Sequence, residues 1–197
     1  MRVTLYVEGG GDGRSLRARF REGWSGFLQS AGLGGRVKIV RGGGREQTFS
    51  RFAAGLACGR PGATVLLLVD SEGPVAPGAT AWEHLHARDG WTRPDGAVDD
   101  QAFLMVQVME TWFLADHDAL RRYFGAAFRD NAIREWPELE AVSKTTVLEA
   151  LDQATAACRK RYAKGKVSFE LLAAIDPARV EAACPHARAL LDRLRAQ

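Results

Sequence analysis

The chain has 197 residues, 46% hydrophobic and 26% charged, the balance of a folded domain rather than a disordered segment, and room for one domain with at most an appendage. No apolar run is long enough to span a bilayer and no signal-peptide pattern opens the chain, so a cytoplasmic protein with no membrane partner is expected. The net charge of +3 is unevenly spread: residues 1–60 carry 11 Arg or Lys against 4 Asp or Glu, residues 61–120 carry 2 against 10, and residues 121–197 carry 14 against 10.

Residues 2–7, RVTLYV, mix β-branched and aromatic side chains and predict a first strand. It runs into VEGGGD, residues 7–12, where Glu8 and Asp12 flank three glycines. That stretch reads either as a turn that needs glycine or as a metal site. It is neither GxGxxG nor a P-loop, and a carboxylate there repels phosphate unless a cation intervenes. Leu16, Phe20, Trp24, Phe27 and Leu28 recur at helical spacing over 14–31, with Gly32 as a stop. Residues 37–40, VKIV, predict a second strand closed by three glycines, and 45–58 a second helix with Phe49, Phe52, Ala53 and Leu56 on one face. TVLLLV, residues 64–69, is continuously apolar, as in a strand covered on both faces, and ends on Asp70.

The order β-α-β-α-β predicts a largely parallel sheet with right-handed crossovers. Ligands gather at the carboxyl ends of such strands, and Glu8 and Asp70 stand at two of them. Residues 71–101 are Gly/Pro-rich and poorly periodic, with a short helix about 80–87; a connection so long is a functional or a disordered loop. FLMVQV, 103–108, predicts a fourth strand leading into METWFLAD, 109–116. Helical pieces follow over 119–124, 145–161, 169–174 and 178–194. The fold class is therefore α/β: a mostly parallel sheet of about four strands flanked by helices over 1–125, with a helical C-terminal extension over 126–197 packed on it. Cys58, Cys158 and Cys184 form no CxxC pair and read as buried free thiols rather than a disulfide frame or a zinc site.

VDSE, 69–72, sets Asp70 and Glu72 one residue apart just past a buried strand, where both can face one opening. Strand-end Asp is also a common turn former. Hard cations want oxygen ligands, and Mg²⁺ commonly takes one or two carboxylates plus waters. A strand ending in Glu-Gly followed by a strand ending in an Asp-x-Asp-like pair resembles the Toprim domain of topoisomerases, bacterial primases, ribosomal-RNA maturases and the OLD (overcoming lysogenization defect) family nucleases. That resemblance implies a Rossmann-like Toprim fold, Mg²⁺ or Mn²⁺ as cofactor with two ions, and phosphodiester chemistry on DNA or RNA.

The OLD-like branch is the one most resembled. On that pattern Glu8 and Asp12 would hold one metal, while Asp70 and Glu72 would hold the other or bridge. Glu110 in METWFLAD would be a further acidic ligand, and Lys144 in SKTT would offset charge on the scissile phosphate, so that Glu8, Asp70 and Lys144 are the implied catalytic residues. VEGGGD, VDSE, METWFLAD and YAKG (162–165) together are similar to a bacterial family of small Toprim-like proteins encoded beside ABC/SMC-type ATPases in defence loci. The implied role is the nuclease effector of an antiphage system, with an ATPase as partner and a homodimer as one assembly state. Glu72 departs from the pattern, one methylene longer than the Asp of the family's pair.

Arg41, Arg45 and Arg51 follow the second strand, and Arg159, Lys160, Arg161, Lys164 and Lys166 form the densest basic run. Both groups are candidate nucleic-acid contacts, or simply solvated faces. His84 and His86 read better as a solvated turn of helix than as a metal pair. Trp91 and Trp112 are candidates for base stacking, with core the better reading for Trp112 beside Phe113. Two cations about 4 Å apart would activate the attacking oxygen, stabilise the leaving one and neutralise phosphate charge, and Glu8 would equally serve as general base. No tyrosine is obviously placed as a covalent nucleophile, which argues against strand passage. The expected activity is thus a metal-dependent endonuclease. The alternatives are a non-catalytic Toprim-like module that binds nucleic acid or regulates an ATPase, and a phosphatase or phosphotransferase acting on small molecules.

Overall fold

Four strands, β1 (Val3–Glu8), β2 (Val37–Gly43), β3 (Thr64–Asp70) and β4 (Ala102–Met105), form one sheet in the order β2-β1-β3-β4 with every pair parallel. The structure is a computed structural model describing residues 3–9, 13–59 and 62–197. Successive strand residues point to opposite faces of a sheet, and each face here carries its own core. Val3, Leu5, Val7, Leu66, Leu68, Phe103 and Met105 pack on one side with α1 (Arg14–Ser30) and the C-terminal helices. Val65, Leu67, Val69, Ala102 and Leu104 pack on the other with Phe52 of α2 (Arg45–Ala57) and with Trp82 and Leu85 of α3 (Ala81–Asp89). Because β3 feeds both cores, TVLLLV has no polar alternation. The result is an α/β, Rossmann-like sheet.

The stretch 71–101 is not a bare loop. A capping box between Thr80 and Glu83 starts α3, and the buried indoles of Trp82 and Trp91 pin the segment onto the second face. The fourth strand is shorter than FLMVQV predicts. Its ladder to β3 ends at Asp70↔Met105, and the turn beyond is held by Ser71 N–H to Met105 O at 2.9 Å and Glu72 N–H to Gln107 O at 2.8 Å.

The remaining helices are α4 (Glu110–Phe113), α5 (His117–Phe124), α6 (Lys144–Thr155), α7 (Lys166–Ala174), α8 (Pro177–Ala183) and α9 (Pro185–Arg195). The helix expected over 178–194 is two, because Pro185 cannot continue α8 and instead opens α9 at its first turn. The helix expected over 145–161 stops at Thr155. Asp116 of METWFLAD is a cap: it accepts from Ala119 N–H at 3.0 Å and from Asp176 N–H at 2.9 Å, tying α5 to α8.

The C-terminal helices are not a separate body. Val147, Leu151, Leu171, Leu172, Leu190 and Leu194 belong to the same core as β1, with α7 lying across α1 and α9 against β4. Close approach of α7 requires Gly23, where an added Cβ would fall 2.6 Å from the Phe169 carbonyl oxygen. Cys158 and Cys184 are buried free thiols, and burial pushes the Cys184 thiol up to about 12. Cys58 is exposed, contrary to expectation, because it caps the far end of α2 beyond its packed face. Among the described residues no helix is long and apolar enough to cross a membrane.

Candidate functional site

From β1 the chain steps to β2 on one side and later to β3 on the other, so the strand order reverses between β1 and β3. In open α/β sheets the crevice at that switch point, at the carboxyl ends of the strands, is the place for a ligand. Glu8 and Asp70 are the last residues of these two strands. The β1–β2 register slips between Val7 and Glu8, which pair with Arg41 and Gly43, so Gly42 is an extra residue on β2. Such a bulge re-aims the neighbouring side chain. Glycine is needed there, since a Cβ on Gly42 would lie 2.1 Å from Thr48 Oγ1 and Gly43 has a φ of +95°.

The Glu8 carboxylate accepts from Asp70 N–H at 3.3 Å and from Arg45 Nη1 at 3.2 Å. Arg45, the first residue of α2, is itself held from several directions. Its Nε and Nη2 donate to Asp89 at 2.8 and 2.7 Å, Nη1 also donates to Asp70 O at 2.5 Å, and its guanidinium sits 5.1 Å from the Trp91 ring centroid. A bidentate carboxylate plus a stacked ring fixes the planar fork in one orientation. Arg45 is therefore a bracket inside the site, 14% exposed, rather than a surface grip for phosphate. Trp91 stacks on Phe49 at 4.3 Å and is 5% exposed, which leaves it no open face for a base. Trp112 is core, packed between Trp24 and Phe27.

Asp70 Oδ1 accepts from Met109 N–H at 2.8 Å. Burial first, then the Glu110 and Glu8 carboxylates, push Asp70 well above the usual carboxylate range despite that bond. Glu8 is raised as well, by burial, with Arg45 and the Asp70 N–H pulling the other way. Glu72 follows in a left-handed conformation, φ +62°, uncommon for a residue with a Cβ. Its carboxylate pairs with Lys144 Nζ, the first residue of α6, whose own N–H donates to Gln107 Oε1 at 3.1 Å. His84 Nε2 stands 2.8 Å from Ser71 O, so that histidine buttresses the same turn rather than facing solvent.

Glu110, 3% exposed at the start of α4, accepts from Tyr162 OH at 2.6 Å and lies 3.7 Å from Lys164 Nζ. Burial, and then the charge of Glu110, push the Tyr162 phenol far up, so it stays a neutral donor. Ser168 of α7 bonds the same tyrosine hydroxyl at 3.1 Å.

Glu8, Asp70, Glu72 and Glu110 thus line one cavity of about 400 Å³, with Lys164 and Ser168 on its C-terminal wall and Leu16, Met105, Met109 and Phe169 as apolar lining. Asp12 lies outside the described residues. Among the described residues no three His, Cys, Asp or Glu side chains form a ready-made cage for an ion. Mg²⁺ seldom uses such a cage; it takes one or two carboxylates and keeps its waters. An all-carboxylate donor set in which Asp70 is crowded by like charge fits that ion chemically.

Of the expected basic contacts, Lys164 reaches this cavity, while Arg41 lines a neighbouring cleft. Lys160 pairs with Glu170 and lies over the Tyr123 ring at 4.3 Å, away from the carboxylates, and Arg159 is exposed. Tyr162, Ser168 and Asp89 were not foreseen as parts of the site. YAKG and the acidic end of α3 were visible, but nothing local shows which distant carboxylate or arginine each one meets.

A Rossmann-like α/β protein with carboxylates gathered at its switch point is the class these features define. The chain belongs to the DUF4276 family, described as a domain of unknown function, whose profile matches residues 7–195. Comparisons with curated proteins and with solved structures gave no match.

Proposed function

We propose that the protein is a Mg²⁺- or Mn²⁺-dependent nuclease of Toprim type that hydrolyses or nicks phosphodiester bonds in DNA or RNA. We further propose that it works in the cytoplasm as the effector of a bacterial antiphage system beside an ABC/SMC-type ATPase. One observation carries the chemistry: four carboxylates from three separate segments, Glu8, the Asp70 and Glu72 pair, and Glu110, face a single cavity at the strand-order reversal. In this reading Glu8 and Asp70 are the first ligands and Glu72 and Glu110 the outer ones. A bound divalent ion would lower the pKa of a water and neutralise phosphate charge.

The chain's own groups do the rest. Arg45, bracketed by Asp89, fixes the Glu8 carboxylate. The raised Glu8 is suited to take a proton from a nearby water. Lys144 and Lys164, with side chains 33% and 52% exposed, sit at the rim on long stems that can leave a carboxylate for a substrate phosphate.

A second reading has its own support. Glu8, Glu72 and Glu110 each have a cationic partner, in Arg45, Lys144 and Lys164, which is what a non-catalytic module that binds nucleic acid or an ATPase would need. Plasmid and RNA incubation with Mg²⁺, Mn²⁺ or EDTA separates the two. The nuclease reading expects metal-dependent cleavage by wild type, and loss of at least about a hundredfold in Glu8→Gln and in Asp70→Asn, both still folded. Cleavage that survives either substitution rejects the assigned roles, and no cleavage under any metal favours the module.

A further inference from the structure

A second cavity, of about 420 Å³, lies between α1 and α2 over the C-terminal half of β2, lined by Arg17, Arg21, Arg41, Arg51 and Gln47. Arg17 and Arg21 are four residues apart on α1 and share its face, a like-charge spacing that weakens an isolated helix. The first turn of α1 holds Arg14 and Arg17 and no acidic residue, so cations stand where the helix dipole favours anions. Arg17, Arg21 and Arg51 are exposed, and Arg51 Nη1 donates to Arg41 O at 2.9 Å, drawing the α2 arginine onto the strand. Local helix stability is better served without this clustering. A bound polyanion would compensate all of it.

The cleft also adjoins the carboxylate cavity. Gly9 lines the acidic cavity and Gly43 the basic one, and Gly9 N–H donates to Gly43 O at 3.0 Å. An added Cβ on Gly9 would lie 3.2 Å from Arg41 Cγ, so among the described residues the β1–β2 junction is what separates the two. Arg45 is committed to Glu8 and Asp89, and Lys160 to Glu170, whereas the cleft sets four arginines side by side beside the strand ends.

We propose that the cleft binds the phosphodiester backbone of a nucleic-acid strand through its arginine forks, and passes that strand over the β1–β2 junction toward the carboxylates. The second half of the statement, the direction of the strand, rests on the nuclease reading; the binding does not. Arginine forks take phosphate oxygens bidentately and without regard to sequence, so DNA and RNA share the chemistry recognised.

The test is fluorescence anisotropy of fluorescein-labelled, mixed-sequence single strands, one DNA and one RNA, in EDTA across a salt series. Wild type should bind at least one of them with strongly salt-dependent affinity. The combined Arg17→Ala, Arg21→Ala and Arg51→Ala variant should bind roughly tenfold or more weakly and flatten the log–log salt slope by about 2 to 3. A charge-matched control, Arg122→Ala, Arg134→Ala and Arg188→Ala, should stay within about threefold of wild type. Should the triple variant not fold, Arg21→Ala alone carries the test, with a slope change of about 1. Absence of binding by wild type, unchanged binding by the cleft variant, or equal weakening by the control overturns the proposal. Strand binding through the cleft with no cleavage under Mg²⁺ or Mn²⁺ sinks the nuclease reading alone, while cleavage with binding indifferent to the three arginines sinks the cleft alone.

Discussion

Asp70, at the end of β3, sits in an environment unlike that of a solvated carboxylate. One oxygen takes the Met109 N–H at 2.8 Å, while burial, Glu110 and Glu8 all favour its protonated form. Glu8 is displaced in the same direction. Carboxylates raised on folding bind protons more tightly in the native than in the unfolded state. The stability they contribute is therefore complete below the ordinary carboxylate values near 4 and is lost as pH rises through the raised native ones. Above those raised values the ionised Glu8 and Asp70 work against the fold. Asp70→Asn keeps an oxygen for the Met109 N–H and removes a charge. In EDTA at pH 7.5 it should melt higher than wild type by about 2–4 °C, the shift that roughly 1 kcal/mol produces in a chain of this size. The difference should shrink toward pH 4. Mg²⁺ should raise the melting temperature of wild type and leave Asp70→Asn nearly unmoved. A variant that melts lower than wild type at pH 7.5, with no Mg²⁺ response in either protein, would mean that the carboxylates are satisfied by their cationic partners.

At the scale of elements, the site depends on the helix seam behind its C-terminal wall. α7 brings Ser168 and Phe169 to the cavity wall, and it does so by lying against α1 where Gly23 and Gly26 remove side chains. A Cβ at Gly23 would press within 2.6 Å of the Phe169 carbonyl oxygen, a backbone atom that cannot rotate aside. Gly23→Ala should therefore destabilise by about 1–3 kcal/mol through overpacking, although alanine is the better helix former. Ser25→Ala, exposed on the same helix, should change stability by less than about 0.5 kcal/mol. Chemical denaturation of the two variants makes the comparison, and equal effects would show that α7 can move off α1 without loss. The seam also marks a limit of pattern reading. The periodicity of Phe20, Trp24 and Phe27 announces a buried helix face, but Gly23 and Gly26 carry no signal until a partner helix is known. Asp89 and Tyr162 are similar cases, lying 44 and 52 residues from Arg45 and Glu110, the side chains they bond. Glu8, Asp70 and Glu72 could be picked out because each ends or follows a strand whose composition is locally distinctive.

Across the whole molecule, what could be read in advance was the part specified by near neighbours: the β-branched and aromatic mix of β1, the two-faced run of β3, and the helices between them, hence a parallel sheet. What could not be read was how the last third of the chain completes it. The division at about residue 125 follows a change in pattern, from strands to helices, yet the hydrophobic core ignores that division. Val3, Leu5, Val7, Leu66, Leu68, Phe103 and Met105 form one face of the sheet, none more than 9% exposed, and α7 and α9 supply part of the cover beside α1. Glu110 draws its hydroxyl partners, Tyr162 and Ser168, from the same last third. A fragment of residues 1–125 would lose the helices packed on β4 and α4 and present Phe103, Met105 and Phe113 to water, where each large side chain forfeits about 1.5–3 kcal/mol of burial, against a total stability of only about 5–15 kcal/mol for a typical domain. It should be insoluble or unfold without a cooperative transition, whereas the full chain should unfold in one step. Mixing it with a fragment of residues 126–197 should restore both the transition and metal-dependent cleavage, if the carboxylate cavity needs its C-terminal wall. A fragment 1–125 that melts cooperatively by itself would instead establish the α/β part as an independent domain, and would shift the C-terminal helices from completing the core to decorating it.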